Sequence, residues 1–255
     1  MNKILSILIC LYFGIFNAQV VLSEPDSDIP KSTLFIGNSY LYYNDSLHNH
    51  FKRIVKERNP NFNVRGIKSA TISGARLEHH NLDHLLKPMA IGSIEKFDLV
   101  ILQGGSGESL TPENRNSFSK KVKEYIDKIK SMDSKAALYM IPSYVRPHKN
   151  YDPKLMRIIE DMYVKAGQRN NVLVIPVGLA FENAYKKIPN IKLHKSDGTH
   201  PNLLGTYLAA CVVYASVYKE SPIGILYDYF GSIRSEDKLF LQEIAHETVV
   251  EFIND

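Results

Sequence analysis

The sequence predicts a three-layer α/β/α domain built on a central, mainly parallel five-stranded sheet. Two observations carry that expectation. Short apolar runs of strand length recur at 34–36, 62–67, 99–102, 136–141 and 172–177, and segments with helical spacing of apolar residues separate them. The run Leu99-Val100-Ile101-Leu102 is also apolar without alternation, as a strand covered on both faces requires.

Residues 1–18 read as a secretory signal peptide. Lys3 supplies the positive end, residues 4–16 the apolar stretch, and Ala18 the small residue at the cleavage site, with Ser23 the alternative. The stretch is short for a membrane span, although retention as an uncleaved anchor is the competing reading. Ile9 before Cys10 is not the small residue that lipoprotein processing would need. Cleavage would leave a secreted or periplasmic protein without a membrane partner. It would also leave Cys211 as the one thiol, unable to form an internal disulfide. Within the apolar run 207–213, Cys211 reads as a buried structural residue.

The 255-residue chain is 44% hydrophobic and 23% charged, so residues 24–255 fit one domain with a full core. A formal charge of +4 without a basic run or aromatic-basic interleaving favours solubility, and no nucleic-acid partner is expected.

The first strand ends in Gly37-Asn38-Ser39. Asn44-Asp45-Ser46 then has the composition of a helix N-cap, and Leu47, Phe51, Ile54 and Val55 keep helical spacing until Pro60. The same three residues fit a glycosylation sequon, which capping explains more simply. The second strand, over 62–67, leads to a loop at 70–75 and a short helix over 77–86. The third strand ends in Gln103-Gly104-Gly105-Ser106-Gly107. Thr111-Pro112 starts a long helix with an N-cap and a proline at its first position. The fourth strand is closed by Pro142 and followed by a Tyr-, Arg- and Pro-rich loop at 143–152. Helices are expected from 153 to about 168, over 178–187, over 203–218 and over 235–253. Acidic residues at 236 and 237 favour the start of the last one through the helix dipole.

A serine at the C-terminal end of a parallel strand lies where open α/β sheets bind ligands. To act as a nucleophile it needs a base and oxyanion donors. His200 stands out among nine histidines, because it follows Asp197 by three residues in a loop before a helix. In such a turn the carboxylate can reach Nδ1 and leave Nε2 to accept the serine proton.

Gly37-Asn38-Ser39 and Asp197-Gly198-Thr199-His200-Pro201 resemble the first and last blocks of the SGNH/GDSL hydrolase superfamily. Leu34-Phe35-Ile36-Gly37-Asn38-Ser39-Tyr40 and Gly205-Thr206-Tyr207-Leu208-Ala209-Ala210 are similar to a little-characterised bacterial branch of it. The resemblance covers about residues 33–218. It implies a flavodoxin-like fold without a cofactor or metal. It also implies Ser39 as nucleophile, His200 as general base and then acid, and Asp197 as the residue that orients it. The backbone N–H groups of Ser39 and Gly74 would bind the oxyanion. The third block departs from the family, which often carries a Gly-x-Asn-Asp there. Gln103 has the same carboxamide on a longer stem and is expected to replace the Asn as donor, with Ser106 the second choice.

Two further clusters bear on ligands. Glu78, His79, His80, Asp83 and His84 are dense in metal-capable groups, but the H-E-x-x-H order is absent and a solvated helix face is the simpler reading. Tyr42, Tyr43, Tyr144 and Tyr151, with Arg146 and His148, fall in loops on the Ser39 side and suit stacking on sugar rings or ordinary loop packing. The expected function is a secreted esterase acting on short acyl esters of a small molecule or glycan, with O-acetyl groups on carbohydrates as the substrate suggested by the family. The alternatives are an O-acyltransferase with the same triad and a non-catalytic glycan-binding protein on a degenerate scaffold.

Overall fold

The computed structural model describes residues 29–254. The expected signal peptide and both of its cleavage sites lie outside the described residues.

Five parallel strands form one sheet in the order β2-β1-β3-β4-β5: β1 (Thr33–Gly37), β2 (Ile67–Thr71), β3 (Leu99–Gln103), β4 (Lys135–Tyr139) and β5 (Leu173–Ile175). β1 and β3 are buried along their whole length, which accounts for their uninterrupted apolar sequence. Strand order reverses between them, and the C-terminal crevice at such a point is where open sheets accept ligands.

The short helix α1 (Ser39–Tyr42) follows β1 directly, and α2 (Leu47–Arg58) connects to β2. After the one-turn α3 (Leu82–Leu85), the crossovers α4 (Pro112–Ser131) and α5 (Leu155–Asn170) pack on each other and on β4. The other layer holds α2, α6 (Val177–Lys187), α7 (Leu203–Tyr218) and α8 (Ser235–Asn254), with α7 packed against all three. Residues 205–216 of α7 are buried without interruption, so a helix that is apolar all round sits at the centre of its layer. Cys211 lies there with no exposed surface, and burial pushes its thiol up to about 12, far from a reactive thiolate. No helix among the described residues is long and apolar enough to cross a membrane.

The second strand lies later than the apolar pattern suggests. Val64–Gly66 is a 3-10 turn, and the strand is Ile67–Thr71. As an edge strand it is buried fully only at Ile67, so pairing with β1 rather than an apolar run defines it. The helix expected over 77–86 is instead a 3-10 turn at Leu77–His79 followed by α3, so His80 and His84 do not share one helix face.

The Asn44-Asp45-Ser46 stretch also differs from a simple cap. All three residues have positive φ, and the Ser46 hydroxyl makes no capping bond. It donates to the Leu41 carbonyl and bonds His48 Nδ1 at 2.7 Å. Asn44 reaches across to Pro201 O at 2.9 Å and Thr206 Oγ1 at 2.8 Å, leaving neither of its amide hydrogens for a glycan.

Candidate active site

Ser39 is the first residue of α1. Asn38 caps this turn, its side-chain oxygen accepting Tyr40 N–H at 3.1 Å while its amide donates to Ala75 O at 2.8 Å. One asparagine therefore holds the Ser39 turn and ties it to the loop after β2. Ser39 is 7% exposed, and as the first residue of a helical turn its N–H has no partner within the helix.

His200, the expected base, sits on a closed loop. His194 and Pro201 form an antiparallel bridge, and Lys195 N donates to His200 O at 2.7 Å. Gly198 at its tip has φ +72, and a Cβ there would lie 2.3 Å from Val145 O, so the turn can approach the 144–148 segment only with glycine. Asp197 Oδ1 accepts the N–H groups of Thr199 and His200 at 2.9 and 3.0 Å. Its Oδ2 lies 2.7 Å from His200 Nδ1. A carboxylate only accepts, so Nδ1 carries a proton, and in the uncharged ring that tautomer leaves Nε2 as an acceptor. That nitrogen is 2.8 Å from Ser39 Oγ. Burial alone would raise the Asp197 carboxyl, but its bonds from His200 and the two backbone N–H groups outweigh this and hold it down at about 2.

Two residues absent from the expected site fasten this loop to the segment that carries Ser39. The Tyr40 phenol meets Thr199 Oγ1 at 2.7 Å, and Asn44 grips Pro201 O. Tyr40 is raised by burial, with contacts to Thr199 and the Ser106 hydroxyl acting against that rise, so Ser106 borders the same group. The Tyr43 ring packs 4.6 Å from the His200 ring. Tyr40's adjacency to Ser39 was the available sequence signal. Asn44 gave none, because its partners are more than 150 positions away.

Gln103 does not occupy the role expected of it. Its side chain is fully buried, with Oε1 accepting Asn38 N–H at 2.8 Å and Nε2 bonded to the Gly104 carbonyl. Both ends of the carboxamide are engaged by backbone groups, and it braces the Ser39 turn. Gly37 is required by the same packing, because a Cβ there would stand 2.3 Å from Gln103 Oε1. Gly74 is exposed at φ +64 with no atom within 4 Å of a would-be Cβ, so its backbone is open to an approaching ligand. Ser73 beside it accepts a bond from the Tyr42 phenol at 3.1 Å.

Glu108, in the loop after β3, belongs to none of the motifs that mark the site in sequence. It is 4% exposed, and its Oε2 has no hydrogen-bond partner among the described residues. Burial raises its carboxyl to about 7, against the lowering influence of the Gly105 backbone and Arg76.

No family model matches the chain, and no curated protein matches it. Solved structures do. A DUF4886 family protein from Bacteroides uniformis is 19% identical with a TM-score of 0.66, covering 86% of this chain and 94% of its own. A proposed SGNH hydrolase from Slackia heliotrinireducens is 19% identical with a TM-score of 0.57, covering 72% and 97%. The acetyl xylan esterase AlAXEase is 18% identical with a TM-score of 0.56, covering 73% and 99%. What is shared at such identities is the architecture: this chain has the α/β fold of the SGNH/GDSL hydrolases.

Proposed function

We propose that this chain is an exported serine esterase that removes short acyl groups, with O-acetylated carbohydrate as its substrate class. The observation that carries the reading is the continuous relay of Ser39 Oγ, His200 Nε2 and Nδ1, and Asp197 Oδ2, with steps of 2.8 and 2.7 Å, at the switch point of the sheet. A buried serine already hydrogen-bonded to an imidazole that a carboxylate orients is poised for nucleophilic attack.

Ser39 Oγ attacks the ester carbonyl carbon while His200 Nε2 takes its proton. Asp197 keeps the imidazole in the required tautomer and stabilises the imidazolium. The oxyanion is received by the N–H groups of Ser39 and Gly74, with the Ser106 hydroxyl as third donor in place of Gln103. Collapse breaks the bond to the alcohol, which leaves with the proton from His200. Water, deprotonated by the same nitrogen, then cleaves the acyl-enzyme and restores Ser39. Carbohydrate as the alcohol is supported by the acetyl xylan esterases among the similar folds and by the tyrosine-rich loops beside the site. Export is supported by the sequence of residues 1–18.

The test compares wild type with Ser39→Ala on p-nitrophenyl acetate, longer-chain esters and acetylated xylan. Activity that falls at least about 10³-fold while the melting temperature holds supports the reading. Full activity in Ser39→Ala would sink it.

A further inference from the structure

Beside the triad lies a cavity of about 850 Å³, within the size range of sites that enclose a small ligand. Its walls are the loop after β4, the outer side of α6 and the segment that leads into Asp197. Ser196, the residue before the orienting acid, is part of its lining.

The charge of this cavity is one-sided. Arg146, Lys192 and Lys195 line it, and none forms an ion pair with a carboxylate among the described residues. Of its two acids, Glu182 is already neutralised by Arg157 and Lys186. Asp152 turns an oxygen to Lys154 N at 2.8 Å. All three cations are exposed, so their excess positive charge at the mouth of a concave site attracts an anion over a short, salt-dependent range.

Shape adds a second requirement. The Arg146 guanidinium carbon lies 4.9 Å from the centre of the Tyr151 ring, and with no hydrogen bond from the guanidinium among the described residues its N–H groups can take a carboxylate or sulfate. Tyr151 is 36% exposed and offers an aromatic surface next to that cation. Lys195 connects the cavity to the reaction centre, because its Nζ lies 5.0 Å over the Tyr43 ring that packs on His200.

We propose that this cavity binds an anionic sugar unit of the glycan whose ester is presented to Ser39. Arg146 and Lys192 hold its acidic group, and Tyr151 supports its ring. The identification of that glycan as the substrate rests on the esterase reading; the binding does not.

Calorimetric titration of the intact Ser39→Ala protein measures binding without turnover, so it can fail or succeed independently of catalysis. The probes are an oligogalacturonate, a sulfated chondroitin oligosaccharide and a neutral xylo-oligosaccharide of equal length. At least one anionic probe should bind about tenfold or more tightly than the neutral one, with an advantage that shrinks between about 0.05 and 0.5 M salt. The chondroitin probe carries carboxylates as well as sulfates, so only its tighter binding than the oligogalacturonate would point to sulfate recognition. Arg146→Ala should remove the advantage with the melting temperature unchanged. Should that variant not fold, Lys192→Glu, on the exposed rim, should abolish it. Equal affinity for the neutral probe, no binding of any probe, or an anionic preference that survives the substitutions overturns the proposal.

Discussion

Gln103 and Asn38 are joined across the switch point of the sheet, the side-chain oxygen of one accepting the backbone N–H of the other at 2.8 Å. The third block of the sequence therefore supports the first from beneath. Its glutamine also fills the space beside Gly37, where a Cβ would meet Gln103 Oε1 at 2.3 Å and Leu41 Cδ1 at 2.8 Å.

Gly37→Ala should destabilise the protein by about 1–3 kcal/mol through overpacking. Gln103→Ala should cost about 1–3 kcal/mol by leaving the buried Asn38 N–H unmade. In the double variant part of the clash disappears, so urea unfolding should give a loss smaller than the sum by about 1 kcal/mol. Strict additivity would argue against the brace.

Asp197→Asn keeps the size of the side chain but removes the charge and the tautomer control over His200. Its kcat on p-nitrophenyl acetate should fall by about 10³- to 10⁴-fold, with a much smaller change in KM. The same carboxyl carries a pH signature. Its folded pKa of about 2 lies below its usual value, so its contribution to stability is complete above about pH 4 and disappears as pH falls towards 2. Wild type should therefore lose its advantage over Asp197→Asn in that window in acid-unfolding curves, whereas a constant difference would contradict the assignment.

Gly198→Ala should damage the loop that carries His200, because the residue is buried there. The position is left-handed and a Cβ meets the Val145 carbonyl, which cannot swing away as a flexible side chain would. A stability loss of about 1–3 kcal/mol is expected from the backbone strain. Displacement of His200 should add a fall in kcat of about 10²-fold, since small misplacements of a catalytic group are costly. Steady-state kinetics at a temperature where the variant remains folded separates the two effects.

Glu108→Gln should stabilise the protein at alkaline pH. The folded carboxyl titrates near 7 and the unfolded one near 4.5, so wild-type stability falls as pH rises between these values and is level above them. At about 1.4 kcal/mol per pKa unit, the glutamine variant should gain on the order of 3 kcal/mol at pH 8 relative to its position at pH 4. Thermal melts at the two pH values measure this difference, and a gain that is equal at both would refute it.

The parts of the site legible in sequence were those decided locally. Asp197 and His200 lie within one turn, so their spacing is enough to suggest that Oδ2 can reach Nδ1. Ser39 was marked by an apolar strand running straight into a glycine-containing turn. The strand at 67–71 was hidden because an edge strand needs only one neighbour and carries few apolar side chains. Asn44 looked like a cap, since its type favours caps, yet its bonds go to Pro201 and Thr206.

The sequence by itself determined the alternation of strands and helices, the apolar α7 and the chemical types of Ser39, Asp197 and His200, because these depend on composition and on contacts a few residues apart. Tertiary structure decided which way each carboxamide points. Gln103 and Asn38 are 65 positions apart, and only the pairing of β1 with β3 brings them within hydrogen-bond distance. That pairing makes the residue expected to be an oxyanion donor the support for the residue before Ser39, since a buried backbone N–H must find an acceptor and Gln103 supplies it.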